Sequence, residues 1–174
     1  MVIRNFRRKR ELMSYNRDNA VEYAHKWVFG RNPAYYNFDN VGGDCTSFAS
    51  QAIYAGSGVM NYTPTYGWYY LSSYDRTASW TGVDFLYKFL VGNKGPGPVA
   101  EQVDTRNIRP GDIVQLSFDG GNLFNHSPVV VSTGGRPDIR NILIAAHTYD
   151  VDNYPLSRYE WKDIRFLHIK GVRK

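Results

Sequence analysis

The sequence predicts an α+β fold, with helices in the N-terminal half and an antiparallel sheet in the C-terminal half. Apolar residues recur at helical spacing around residues 16–29, 45–55 and 81–91. β-Branched runs bounded by turn residues follow in the second half, after a break rich in Gly and Pro at residues 94–98. Helices followed by strands are the order typical of an α+β protein.

Three helices are predicted in the first half. The first covers about residues 16–29, because Ala20, Ala24 and Trp27 share one face and Gly30 can end the helix. The second begins near Cys45 and continues to about residue 55, and the third covers about residues 81–91. Residues 56–79 form a long irregular insertion, and loops of that length in compact domains are usually functional.

Four strands are predicted in the second half, at about residues 112–118, 127–132, 142–148 and 165–170. In the first of them, Val114, Leu116 and Phe118 point to one face and alternate with residues of the other face. Turn residues at 119–122 and 133–135 separate neighbouring strands. We therefore expect an antiparallel sheet with the N-terminal helices packed on it.

Length and charge suggest one domain, preceded by a basic arm. The chain has 174 residues and a net charge of +5. We expect residues 1–14 to form the arm and residues 15–174 to form a single domain. No apolar segment follows the basic residues, so we expect no signal peptide and no membrane span; the localisation stays open, and action at a cell wall would need another export route. Basic charge without a binding motif does not indicate a nucleic-acid partner.

The stretch from Gly42 to Gln51 contains the single cysteine of the chain. Gly42 and Gly43 allow a sharp turn, Asp44 is a favoured N-cap, and Cys45 then falls in the first turn of a helix. Free N–H groups and the helix dipole favour a thiolate at that position, so we expect a reactive thiol of lowered pKa. The alternative is a buried structural cysteine.

Two histidines at the ends of predicted strands favour a reactive Cys45 over a structural one. His126 opens a β-branched run, and His147 lies near the end of the next predicted strand. A cysteine nucleophile needs a histidine in hydrogen-bond contact and a third group that orients the imidazole. No cysteine pair, spaced histidine pair or acidic loop predicts a metal site, and we expect no cofactor.

These motifs together resemble the bacterial putative amidase domain family, which is related to the NlpC/P60 and CHAP cysteine hydrolases. The resemblance covers about residues 15–150 and includes the turn and strand that begin at Pro110. It implies a papain-like (NlpC/P60-like) fold with catalytic residues Cys45, His126 and His147. Asn141 and Asp150 are alternatives to His147 as the third group.

The family resemblance also implies the reaction. We expect a cysteine amidase or peptidase that acts through a thioester intermediate, on a peptide or a peptidoglycan-like amide, as a monomer. The backbone N–H of Cys45 is one expected oxyanion donor, with Tyr35 or Tyr36 as a second. The alternatives are a non-catalytic module that binds cell wall or protein, and a papain-like acyltransferase.

Overall fold

The structure is a computed structural model that describes residues 11–174. Its helices lie in the first half of the chain, as the sequence predicts. They are α1 (Arg17–Trp27), α2 (Cys45–Ser57), α3 (Ala78–Thr81) and α4 (Val83–Gly92). The predicted third helix therefore corresponds to α4, with the short α3 directly before it. None of the described helices is both long enough and apolar enough to cross a membrane.

The second half forms one curled antiparallel sheet of six strands, a half-barrel. The strands are β1 (Gly97–Val103), β2 (Ile113–Ser117), β3 (Val129–Ser132), β4 (Leu143–Ala146), β5 (Val151–Pro155) and β6 (Asp163–Arg173). Their order across the sheet is β1-β6-β2-β3-β4-β5. The α+β class expected from the sequence is thus confirmed.

The two strands that the sequence pattern missed, β1 and β5, are the edges of the sheet. β1 begins with Gly97 and Pro98, inside the segment expected to be a linker, and β5 ends with Pro155. An edge strand has one side without ladder hydrogen bonds, so it tolerates proline and polar residues that are rare in central strands. Its composition therefore resembles that of a loop.

Residues that alternate along the strands contribute to two separate hydrophobic cores, one on each face of the sheet. The helices pack on one face of the sheet, where Ile113, Val129 and Leu167 join the apolar residues of α1, α2 and α4. Val114 and Leu116 point to the other face and join a second cluster. The insertion expected at residues 56–79 is irregular only between α2 and α3, at residues 58–77. It packs onto α2 through Trp68, whose indole N–H donates to the Ser50 hydroxyl at 3.0 Å.

The N-terminal boundary was expected after residue 14. The backbone of Met13 pairs with that of Val172 in β6, so the sheet already holds the chain at residue 13. Residues 1–10 of the expected basic arm lie outside the described residues.

A buried carboxylate joins α1 to the middle of the sheet. Asp112 is fully buried, and its Oδ1 accepts from Arg17 Nη1 at 2.7 Å and from the Ile169 backbone N–H at 2.9 Å. Its Oδ2 accepts from His168 Nδ1 and from the Arg109 backbone N–H, both at 2.8 Å. All four contacts satisfy a charge that would be costly to bury alone.

We predict that Asp112→Ala lowers the free energy of unfolding by about 3–5 kcal/mol, because it leaves buried donors without their acceptor. Urea denaturation monitored by circular dichroism measures the change. Asp138→Ala is the matched control, since Asp138 also bonds backbone and arginine donors but lies at the surface. Equal losses for the two variants would contradict the role given to Asp112.

Candidate active site

Cys45 is the first residue of α2 and is 8% exposed. The loop before it turns at Gly42 and Gly43, which have φ angles of +84° and +96°. These values lie in the left-handed region, where glycine is least strained. A Cβ at Gly43 would lie 3.3 Å from Thr148 Oγ1, so the loop is also close to the turn after β4. Two features of the motif thus place the thiol at the helix start, as the sequence indicates.

Asp44 stands at the expected N-cap position, but its side chain does not cap the helix. Its Oδ1 accepts from the Phe38 backbone N–H at 3.0 Å, and its Oδ2 contacts His147 Nδ1 at 2.6 Å. The carboxylate is drawn away from the helix by these buried donors. The first N–H groups of α2 are therefore left uncapped by Asp44.

The structure places His147 against α1 and the loop before α2. Its Nδ1 contacts Asp44, its Nε2 contacts the Trp27 carbonyl oxygen at 3.0 Å, and its ring stacks on Phe48 with centroids 4.0 Å apart. A third catalytic group that orients the imidazole would contact the His126 ring. Both nitrogens of His147 are instead engaged by Asp44 and Trp27.

His126 lies just before β3 and is 5% exposed. Its carbonyl accepts from the Leu116 N–H, which fixes the backbone against β2. Its ring packs edge-on against Tyr159, at 5.5 Å between centroids, and against Phe118 at 6.0 Å. Sheet pairing and aromatic packing together hold this imidazole.

The structure brings Cys45 to the segment that carries His126. The Thr46 hydroxyl lies 3.7 Å from the Cys45 sulfur, and this hydroxyl and the nearby backbone of Ser127 and Thr46 act to lower the pKa of the thiol. The Thr46 hydroxyl donates to the Ser127 hydroxyl at 3.2 Å, which ties α2 to the start of β3. Within residues 11–174, no hydrogen bond joins the sulfur directly to the His126 ring.

The two alternative third groups lie elsewhere. Asn141 is exposed in the turn before β4, where its side chain bonds the backbone of Asp138 and Arg136. Asp150 pairs with Arg31 at 2.9 Å. Neither side chain has a hydrogen bond to His126.

Burial sets the electrostatics of the thiol and the imidazole. Burial raises the pKa of Cys45, and this effect outweighs the hydrogen bonds from Thr46 and Ser127. Burial also lowers the pKa of His126 to about 4. The lowered thiol pKa expected from the helix N-terminus is therefore not what the structure gives, because desolvation dominates. Both groups rest in their neutral forms near pH 7.

Sequence patterns gave no sign of one further residue in this site, Tyr159. Its hydroxyl lies 3.4 Å from His126 Nε2, and burial raises its pKa. Tyr159 belongs to no motif and is one of fourteen tyrosines in the chain. Of the two tyrosines expected near the oxyanion, Tyr35 packs between Tyr70 and Trp80, and Tyr36 is exposed.

Comparison with known proteins identifies the family. The model of the putative amidase domain family matches residues 14–169, which is most of the chain. The chain belongs to the putative amidase domain family. A relative in Bacillus subtilis (strain 168), the uncharacterized protein YhbB, is 35% identical over 141 residues. That match covers 78% of this chain but only 42% of the relative. No solved structure matches the chain.

The described part of this domain has no evident ligand set for a metal centre. The part of the chain from residue 11 onward has no group of three or more His, Cys, Asp or Glu side chains that could hold an ion. The thiol of Cys45, the imidazole of His126 and the phenol of Tyr159 are the groups of the site that could take part in chemistry.

We predict that the thiol of the folded amidase domain reacts slowly with iodoacetamide at neutral pH. A raised pKa leaves less thiolate at any given pH, so the midpoint of the rate against pH should lie above that of the unfolded chain, about 8.5. Cys45 is the single cysteine, so the rate reports on it alone.

The same protein unfolded in urea is the control for this measurement. A folded-state midpoint at or below the unfolded one would show that the helix N-terminus and nearby donors outweigh burial.

Proposed function

We propose that this domain is a cysteine-dependent amide hydrolase with a papain-like, NlpC/P60-like arrangement of its site. The observation that carries the proposal is the approach of the start of α2 to the segment just before β3: the Thr46 hydroxyl, next to Cys45, donates to the Ser127 hydroxyl, next to His126, at 3.2 Å. This contact brings a candidate nucleophile on a helix to the segment that carries the candidate base. Membership of the putative amidase domain family supports the same reaction class.

In this mechanism, neutral His126 acts as general base. The Cys45 sulfur attacks the amide carbonyl carbon while its proton passes to the imidazole. Neither a free thiolate nor an imidazolium therefore has to form before the substrate binds, and the raised thiol pKa and lowered imidazole pKa do not prevent the reaction. The tetrahedral intermediate collapses as the imidazolium returns the proton to the leaving amine. This step releases the amine and leaves a thioester on Cys45.

Water then resolves the thioester. His126 takes a proton from the water as the water oxygen attacks the thioester carbonyl. The C–S bond then breaks as the imidazolium gives this proton to the sulfur, which releases a carboxylic acid and restores the thiol. The site in this mechanism needs no cofactor. The same imidazole serves both half-reactions, as in other covalent acyl-transfer mechanisms.

The developing oxyanion would bind at the start of α2. The Asp44 side chain leaves the first N–H groups of the helix uncapped, and the Cys45 N–H is among them. Such preorganised donors commonly contribute a factor of about 10² to 10³ in rate. Of the two tyrosines considered as a second donor, Tyr36 is exposed beside Phe38, whereas the Tyr35 ring packs against Tyr70 and Trp80.

The proposed substrate is a short cell-wall peptide or a peptidoglycan-like amide, processed by a monomer. This choice rests on the related NlpC/P60 and CHAP groups, and fold-level analogy carries less weight than the site chemistry. His147 enters the proposal as a positioning residue, because it holds Asp44 beside the nucleophile instead of touching the base.

We predict that the wild-type domain releases fragments with new amine termini from purified peptidoglycan, detected by mass spectrometry. Cys45→Ala should abolish their release, and His126→Ala should reduce it by about 10²-fold or more, since proton transfer is lost. His25→Ala is the matched control, because His25 is a partly exposed histidine that pairs with Asp152.

The same assay separates the alternative functions. Fragments that carry an added amine such as glycine would indicate acyl transfer, which shares the thioester. Identical traces from the wild type and Cys45→Ala would contradict peptidoglycan hydrolysis and would favour a binding module.

A further inference from the structure

The segment between β5 and β6 brings one tyrosine to the His126 ring. The chain makes a 3₁₀ turn at Leu156–Arg158, and the Tyr159 N–H then donates to the Leu156 carbonyl at 3.1 Å. Leu156 is fully buried in the second core, so its side chain anchors the turn. The position of Tyr159 is therefore set by the fold.

Three aromatic neighbours hold the Tyr159 ring. It packs at 64° against both His126 and Tyr154, with centroids 5.5 Å and 5.3 Å away, and it lies 6.1 Å from Phe118. Edge-on aromatic pairs at these distances are favourable beyond the area that they bury. The ring thus has little freedom to leave His126.

The Tyr159 hydroxyl is also the hydrogen-bond partner of His126 Nε2, at 3.4 Å. Hydrogen bonds in unliganded active sites are often longer than those formed during reaction. The three candidates for the third catalytic group have other partners: His147 contacts Asp44, Asn141 bonds the backbone of its own turn, and Asp150 pairs with Arg31.

We propose that Tyr159 is the positioning residue of the base: its oxygen accepts from His126 Nε2–H and so directs the lone pair of Nδ1 to the thiol. This inference rests on the proposed function. Nδ1 has no hydrogen-bond partner among the described residues, so it is the ring nitrogen left for Cys45. A neutral phenol can accept this bond in both states of the ring, because the imidazolium keeps its Nε2 proton.

Burial and the neighbouring Tyr154 raise the pKa of Tyr159, which keeps the phenol protonated. A thiolate at Cys45 would raise the pKa of Tyr159 further, which indicates that the sulfur lies near the phenol. Tyrosine here has the part that a carboxylate or amide has in other triads, which is to fix the tautomer and the plane of the imidazole.

The first test reads the tautomer directly and does not require turnover. ¹⁵N NMR of the folded wild type should show His126 as the Nε2–H tautomer, with the signal assigned by its loss in His126→Gln. Tyr159→Phe removes only the hydroxyl and should give a mixture of tautomers. Tyr154→Phe is the matched control, since it packs on Tyr159 and has no hydrogen bond to His126.

The second test is kinetic and uses the peptidoglycan assay. Tyr159→Phe should lower kcat by about tenfold with KM unchanged, because orientation of the base is lost and substrate contacts are kept. Tyr154→Phe should keep the wild-type kcat.

An unchanged tautomer in Tyr159→Phe would overturn the proposal, as would wild-type kcat in that variant. If the wild type itself has no Cys45-dependent turnover, the proposed function fails, and the tautomer measurement still decides the role of Tyr159.

Discussion

The contact between Asp44 and His147 is the interaction on which the site depends most. It is 2.6 Å long, and both side chains are almost completely buried. Through it, the loop before α2 is fixed to the end of β4, and the second nitrogen of His147 extends the link to the last residue of α1. Removing either side chain would leave a buried polar partner unsatisfied, which is costly. The position of the neighbouring Cys45 follows from this link.

Burial then determines how the thiol and the imidazole can react. An ion pair at rest would place two charges in a site where solvent reaches little of either residue, and the structure instead favours the neutral pair. In the proposed mechanism, proton transfer is therefore coupled to attack on the carbonyl. A thiol held in this form is also protected from adventitious electrophiles, because the thiolate is the reactive species.

Local patterns predicted the central parts of the fold, and they indicated Cys45 and His126 as a candidate catalytic pair, which stays a prediction. The glycine turn and apolar spacing placed Cys45 at the start of α2, and β-branched runs located the four inner strands. The edge strands β1 and β5 were missed because edge positions accept proline and polar residues. Asp44 was expected to cap α2, and sequence could not show that His147, distant in the chain, would compete for its carboxylate. The sequence could not predict Tyr159 as a residue of the site for a similar reason, because a tertiary contact and not a motif brings it to His126.

The central claim is that Cys45 becomes acylated with His126 as its base, and intact-protein mass spectrometry tests it most directly. The protein is mixed with p-nitrophenyl acetate and quenched in acid at short times. The account predicts a mass increase of one acetyl group on Cys45 in the wild type, a much slower increase in His126→Ala, and none in Cys45→Ala. Acetylation at equal rates in the wild type and His126→Ala would contradict it, as would release of p-nitrophenol from the wild type with no acyl group ever found on Cys45.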